Sequence, residues 1–210
     1  VSGKTITYTY TIASGDNGKL ATTSYSGTVY DQVGNALVLE NKTIGGNAIT
    51  ADTTAPTLSS INVTSPEAGT YKAGQEVTIV ATYSENIYGT TSKGAVTSST
   101  APVLKIKFGS STERTATFSS VSGKTITYTY TIASGDNGAI ATTSYSGTVY
   151  DQVGNKLTVG NKTIGGNAIT ADTTAPTCTI TASKSSPTNA SSITYTFTFS
   201  ENVTGFTIDD

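Results

Sequence analysis

The chain contains no histidine, tryptophan or methionine, and its 210 residues include a single cysteine, Cys178. Without histidine it lacks the side chain that most often serves as a general base and as a transition-metal ligand. One thiol cannot close an intrachain disulfide, so stability must come from packing, repetition or bound ions. These absences favour a protein that is not an enzyme.

Charge and long apolar runs are also scarce. Only 12% of the residues are charged, and the formal net charge is −2. Nothing in this balance indicates a surface for nucleic acid or for an anionic membrane. No apolar run approaches the roughly 18–20 residues of a membrane-spanning helix. We therefore expect neither nucleic-acid partners nor a membrane span in this segment.

Alternation of apolar and polar residues is the dominant local pattern. Residues 125–132 read TITYTYTI, with isoleucine and tyrosine on one face and threonine on the other. A period of two is typical of a half-buried antiparallel strand. Similar stretches at 58–63, 77–83, 104–108, 114–118, 145–150 and 163–170 give seven or so strands and no helix. The chain is therefore predicted to be all-β, built from Greek-key β-sandwiches of the immunoglobulin-like type.

The same alternation predicts which side chains lie between the two sheets. In every strand the apolar members of the alternating row are assigned to the inner face. The predicted core is Leu58, Ile79, Ala81, Leu104, Ile106, Phe118, Ile126, Tyr128 and Tyr130. Cys178 replaces Leu58 at an equivalent strand position, and we expect it to be a small buried apolar residue.

A long internal repeat organises the chain into modules. Residues 1–57 and 121–177 match at 51 of 57 positions at an offset of 120. A repeat of this length is a whole domain copied in tandem, since solenoid units span only about 20–50 residues. The predicted divisions are the C-terminal part of one module (1–51), a complete module (52–171) and the N-terminal part of a divergent module (172–210). We expect neither fragment to close a core without another part of the assembly, such as the missing half-module of an adjacent chain.

Four short motifs recur in a fixed order along the repeat. They are a DTTAPT junction beginning at Asp52 and again at Asp172, a strand ending in SEN at 84–86, an SGDNG turn at 134–138 and a YDQVGN turn at 150–155. Together they resemble the bacterial immunoglobulin-like repeats of large surface adhesins. The resemblance implies a secreted protein of the bacterial cell surface or extracellular matrix, with many sandwich modules in a row. It also implies calcium at or near module junctions. The family's junction aspartate falls on Asp52 and Asp172, and its late-turn aspartate on Asp31 and Asp151.

The ligand preference of calcium also indicates the turns and linkers as its binding region. Calcium takes six to eight oxygen ligands from carboxylates, amides, carbonyls and water. Candidates in turns and linkers are Asp52, Glu85, Asn86, Asp136, Asn137, Asp151 and Asn155. The alternative is that these are ordinary turn residues, because Asp and Asn are favoured there for local hydrogen bonding.

Two carboxylate pairs are expected at the junctions, Asp31 with Asp52 and Asp151 with Asp172. Without a counter-charge such a pair repels by about 1–4 kcal/mol near contact, depending on the local dielectric. A bridging calcium ion would remove this repulsion and restrict bending. Because the pairing recurs at the same offset, either both junctions bind calcium or neither does.

The sequence therefore predicts a structural stalk or fibre segment whose partners are neighbouring modules and, in a fibre, identical chains. Two alternatives remain open. One is a self-assembling extracellular filament or surface-layer subunit, in which neighbouring chains complete the end fragments. The other is a glycan- or protein-binding module that uses the loop at residues 90–102.

Overall fold

In the computed structural model, which describes residues 3–207, the alternating segments form strands and the described residues contain no helix. Residues before the junction at Asp52 form four short strands: β1 (Gly18–Lys19), β2 (Gly27–Tyr30), β3 (Ala36–Leu39) and β4 (Thr50–Ala51). The central part of the chain forms β5 (Leu58–Ser65), β6 (Gly69–Tyr71), β7 (Glu76–Tyr83), β8 (Val103–Phe108), β9 (Arg114–Thr115), β10 (Thr117–Ser122), β11 (Thr125–Thr131), β12 (Gly138–Tyr150), β13 (Lys156–Val159), β14 (Ile164–Gly166) and β15 (Ile169–Ala171). Two more follow, β16 (Cys178–Ala182) and β17 (Tyr195–Phe199).

Residues 52–171 form a two-sheet sandwich. One sheet has the strand order β10-β11-β7-β5-β14, and the other has the order β6-β15-β12-β8-β9, with β13 also paired to β12. Most pairs are antiparallel, as the period-two pattern predicts, but β14 runs parallel to β5 and β15 runs parallel to β6. The predicted all-β, immunoglobulin-like sandwich is therefore confirmed.

The core lies between the two sheets and contains most of the predicted residues. Ile79, Ala81, Leu104, Ile106 and Ile126 are fully buried. Tyr128 is 1% exposed, whereas Leu58, Phe118 and Tyr130 are partly buried and pack against the edge of the same cluster. Burying an aliphatic side chain of this size contributes about 1.5–3 kcal/mol.

Two segments predicted as single strands are each divided between the two sheets. At 114–118 the chain passes from β9 in one sheet to β10 in the other through buried Ala116, whose N–H donates to the Leu104 carbonyl at 2.9 Å. At 163–170 it passes from β14 to β15 after Gly166, which has a φ of 79°. A Cβ there would collide with the Val63 carbonyl oxygen, so glycine is required at this crossing.

Three tyrosine hydroxyls meet inside the sandwich. The hydroxyls of Tyr83 and Tyr145 lie 2.6 Å apart, and the Tyr128 hydroxyl donates to the Pro102 carbonyl at 2.7 Å. Burial raises the pKa of Tyr83 to about 12. Because each polar end has a partner, these rings enter the core without leaving a hydroxyl unsatisfied.

The flanking segments form small sheets with exposed apolar faces. Before the junction β1 pairs with β4 and β2 with β3, and after it β16 pairs with β17. No described residue in 3–51 or 172–207 is buried. Cys178 is exposed as well, so the prediction that it is buried is wrong. Among the residues that the structure describes, β16 pairs only with β17, and no second sheet covers it.

Candidate functional site at the module junction

The segment Asp52–Thr57, here called the junction linker, is hydrogen-bonded to the turn that precedes it in the chain. The Asn17 side-chain oxygen accepts from the Thr53 N–H at 2.8 Å and from the Thr54 hydroxyl at 3.2 Å. The Gly15 N–H donates to the Thr53 hydroxyl at 3.0 Å. These contacts come from the first copy of the SGDNG turn, so this turn fixes the start of the linker.

The other side of the linker is held by the YDQVGN turn of the module that follows. The Asn155 side-chain amide donates to the carbonyl oxygens of Asp52 at 3.0 Å and Thr54 at 3.4 Å. Asn155 is itself oriented by Asp151, whose Oδ2 accepts from the same amide at 2.7 Å. The linker therefore lies between two turns from consecutive repeats and is bound by both.

Asp151 organises its turn from a fully buried position. Its Oδ1 accepts from the backbone N–H groups of Val153 at 2.8 Å, Gly154 at 2.7 Å and Asn155 at 2.8 Å. This is the local hydrogen bonding for which aspartate is favoured in turns. The Asp151 carboxylate thus fixes the conformation of the turn that binds the linker through Asn155.

The second linker, Asp172–Thr177, repeats the first set of contacts. Asn137 Oδ1 accepts from the Thr173 N–H at 2.8 Å, and the Gly135 N–H donates to the Thr173 hydroxyl at 3.0 Å. At the far end of the linker, the Ser200 N–H donates to the Thr177 carbonyl at 2.9 Å, as the Ser84 N–H does to Thr57. The contacts of the linker with the turn that precedes it therefore recur at both junctions.

Three carboxyl groups converge beside the first linker. Asp52, Glu85 and Asp151 place carboxylate oxygens within 4.8 Å of one another. Asp52 is exposed, Glu85 is half-buried and Asp151 is buried. Desolvation, followed by the negative charges of Asp151 and Asp52, raises the pKa of Glu85, and Lys124 acts in the opposite direction.

This group is chemically suited to a hard cation. Three carboxylates would supply part of the six to eight oxygens that calcium takes, and linker carbonyls and water would supply the rest. The Asp151 oxygens already accept several hydrogen bonds, so Asp52 and Glu85 are the groups with the most freedom to bind an ion. Calcium binding here stays a prediction.

The other predicted ligands do not join this group. Asp31 accepts from the Asn35 side chain at 2.7 Å, which is the largest cause of its lowered pKa, and Asp172 accepts from the Thr174 N–H at 3.2 Å. Asp52 lies with Asp151 of the module that follows it, and the predicted pairing of Asp52 with Asp31 is wrong. The linker folds onto the turn downstream in the chain, and a spacing argument cannot tell the two turns apart.

Asp136 belongs to a separate, structural network. The Arg114 Nε donates to its Oδ1 at 3.0 Å, and Oδ2 accepts from the Tyr130 hydroxyl at 2.6 Å and from the Ala133 N–H at 2.9 Å. Burial opposes ionisation of Asp136, but these hydrogen bonds outweigh it and lower its pKa. Both carboxylate oxygens are thus engaged by protein groups.

The loop at residues 90–102 is folded against its own module. The Gly89 N–H donates to the Gly94 carbonyl at 2.8 Å, and the Val96 side chain is 4% exposed. The Thr97 N–H donates to the Thr100 hydroxyl at 2.9 Å, which closes a second turn. Ligand binding by this loop stays a prediction.

The asparagines that bind the linkers were not assigned this role from the sequence. The sequence indicates Asn137 and Asn155 only as possible calcium ligands and indicates no role for Asn17. Their position in the sequence could have indicated this role, because each asparagine follows an aspartate in a turn that is identical in both copies. One turn lies at residues 16–18 and 136–138, and the other lies at 31–35 and 151–155. The sequence could not show that the side chains reach a linker.

The fold and the junction define a class of protein, a β-sandwich module joined to its neighbours by a short bound linker. Residues 172–210 match the family model described as a bacterial Ig-like domain. This match confirms the resemblance over that part of the chain. No curated protein matches the chain. Bacterial Ig-like domains of this kind occur in surface proteins and are typically non-enzymatic. Within residues 3–207 there is no helix that could cross a membrane.

Proposed function

We propose that this chain is a stalk or fibre segment of a secreted bacterial surface protein, and that its function is to extend that protein from the cell. The observation that carries the proposal is the junction linker, which is hydrogen-bonded to Asn17 on one side and to Asn155 on the other. A bound linker restricts the relative orientation of consecutive modules, which a stalk requires.

Other features agree with a structural role. The absence of histidine from the sequence removes the most common catalytic base. In the Tyr83–Tyr145 hydroxyl pair and the Arg114–Asp136 ion pair, the polar groups of the sandwich satisfy each other. Mutually satisfied groups of this kind stabilise a fold and leave little capacity for chemistry. We therefore infer that the chain is not an enzyme.

Calcium is included in this proposal as a junction ligand of Asp52, Glu85 and Asp151. The ion would neutralise three carboxylates and connect the linker to the body of the module. The contacts from Asn17 and Asn155 require no ion, so the stalk proposal does not depend on calcium.

Surface location is tested with antibodies raised against residues 52–171. Applied to intact cells of the source bacterium, they are expected to label the cell surface, and protease treatment of intact cells should remove the label. A cytoplasmic protein serves as the control for leakage. Labelling that appears only after permeabilisation would contradict the proposal.

A further inference from the structure

The two turns that bind the linkers contain the same chemically labile dipeptide. In the whole sequence asparagine is followed by glycine only at Asn17-Gly18 and at Asn137-Gly138. Asparagine is a thermolabile residue, and a following glycine favours its deamidation because no side chain hinders the backbone nitrogen that attacks the amide. The chain therefore has its most labile amides at the two junctions.

The fold requires both members of the dipeptide in the complete module. Gly138 has a φ of 103°, and a Cβ built there would lie 2.9 Å from the Cα of Gly109. Any other residue would therefore strain the turn. Asn137 is required because its Oδ1 accepts from the Thr173 N–H at 2.8 Å. The lability is thus a consequence of the way in which the turn binds the linker.

Contacts with the linker restrain the Asn137 side chain. Besides the Thr173 N–H, its Oδ1 accepts from the hydroxyls of Thr173 and Thr174, each at 3.3 Å. Gly138 is itself paired with Ala171 at the start of β12. These contacts oppose the rotations that bring the Asn137 Cγ to the Gly138 nitrogen. Asn137 is exposed, so water has access to the site.

We propose that Asn137 is a deamidation site whose rate is controlled by release of the second linker, and that Asn17 is the equivalent site at the first linker. Asn17 Oδ1 accepts from the Thr53 N–H at 2.8 Å, as Asn137 Oδ1 does from the Thr173 N–H. Gly18 has a φ of 109°, close to that of Gly138. The bound linker protects each amide, and release of the linker removes the protection.

The modification needs only water as a co-reactant. The Gly138 nitrogen attacks the Asn137 Cγ, a C–N bond forms, and the side-chain nitrogen leaves as ammonia together with the Gly138 amide proton. Water then opens the cyclic imide at either carbonyl, which gives aspartate or isoaspartate. No electron is transferred in either step.

The two products affect the junction differently. Aspartate keeps an oxygen acceptor for the Thr173 N–H but adds a negative charge next to the buried Asp136. Isoaspartate directs the backbone through the former side chain, so no acceptor projects toward the linker as in Asn137. We therefore expect isoaspartate to keep a released linker from binding again. This inference requires the bound linker but does not depend on the stalk function.

The site is tested by incubating the 210-residue chain at mildly alkaline pH and measuring conversion at each asparagine by peptide mass spectrometry. Trypsin cleaves after Lys19, whereas alanine stands at the equivalent position 139, so the two sites lie on peptides of different length. We expect conversion at Asn17 and Asn137. Asn155, which is followed by lysine, should remain unconverted.

Reciprocal proline variants test control by the linker. Thr173→Pro removes the N–H and the hydroxyl that bind Asn137. We expect it to accelerate conversion of Asn137 by about fivefold, the change in bound population that corresponds to one hydrogen bond of ordinary strength. Asn17 in the same molecule should keep the parent's rate. Thr53→Pro should accelerate Asn17 and leave Asn137 unchanged.

A double variant supplies a milder perturbation of the second linker. Thr173→Ala with Thr174→Ala removes both hydroxyls and keeps the N–H, so it should accelerate Asn137 less than Thr173→Pro does. The thermal transition of the module shows that each variant is folded, and the alanine variant decides the test if the proline lowers that transition. Equal acceleration of Asn17 and Asn137, or rates that no variant changes, would overturn the proposal.

Discussion

The electrostatic interactions of Glu85 at the junction can be measured through the pH dependence of unfolding. It lies beside Asp52 and Asp151, and desolvation together with these two charges raises its pKa. The folded state therefore holds the Glu85 proton more tightly than the unfolded state does. The contribution of Glu85 to the free energy of unfolding therefore falls as the pH rises from the ordinary glutamate pKa, about 4.3, through the raised folded-state pKa.

We predict that Glu85→Gln removes this loss of stability. In calcium-free buffer the variant should gain stability relative to the parent as the pH rises from about 4 to 7, since glutamine carries no charge to repel Asp52 and Asp151. The measurement is urea unfolding of both proteins across that range. Added calcium should reduce the difference if the ion neutralises the same group.

Glu201 provides the control for Glu85. It follows Ser200 as Glu85 follows Ser84, but it is exposed. Glu201→Gln should leave the pH dependence of unfolding unchanged. An equal effect of the two substitutions, or a Glu85→Gln curve parallel to that of the parent, would show that the three carboxyl groups do not interact.

At the scale of the strand, one sequence is found in two environments. TITYTYTI at residues 125–132 provides β11, while the same residues at 5–12 form no such strand. Strand propensity is therefore insufficient on its own, and the paired strand and the facing sheet decide the outcome.

The matched pair Ile126→Asp and Ile6→Asp tests this argument. Ile126 is fully buried and Ile6 is 44% exposed. Ile126→Asp loses about 1.5–3 kcal/mol of burial and adds a desolvated charge, against a typical domain stability of about 5–15 kcal/mol. We expect it to abolish the cooperative thermal transition of the module, whereas Ile6→Asp should leave the transition within about 2 °C of the parent. A similar shift for both would mean that the module core does not depend on β11.

The sequence predicted the positions of the strands more reliably than the sheet to which each strand belongs. Alternation identified β5, β7, β8 and β11, because one face of each is buried. It could not show that residues 114–118 and 163–170 change sheets, since the crossing depends on contacts such as that of Ala116 with Leu104. The candidate site was predicted in part: Asp52, Glu85 and Asp151 were named, but their convergence required the path of the linker.

At the scale of the whole molecule, we expect the junction to restrict the orientation of consecutive repeats. Asn155 and Asn35 occupy identical turns and both bind the aspartate of their own turn, but Asn155 also binds the linker. We predict that Asn155→Ala broadens the distance distribution between spin labels at Thr28→Cys and Ser119→Cys in a Cys178→Ser background. Asn35→Ala, which loses only the contact within its own turn, should not. Equal widths in all three proteins would show that the Asn155 contact does not restrain the junction.

A bound calcium ion would also narrow the distance distribution between the spin labels. Its effect can be separated from that of the Asn155 hydrogen bonds. If the ion bridges Asp52, Glu85 and Asp151, a chelator should lower the melting temperature and broaden the distribution in the parent, because three close carboxylates lose their counter-charge. In Glu85→Gln the chelator should have a smaller effect, and in Glu201→Gln the parent's response should persist. The measurements are calorimetry and spin-label distances, with and without chelator, at a concentration where the chain is monomeric. Unchanged values in the parent would remove calcium from the junction, leaving the hydrogen bonds of Asn17 and Asn155 and the fixed φ of Pro56 to stiffen it.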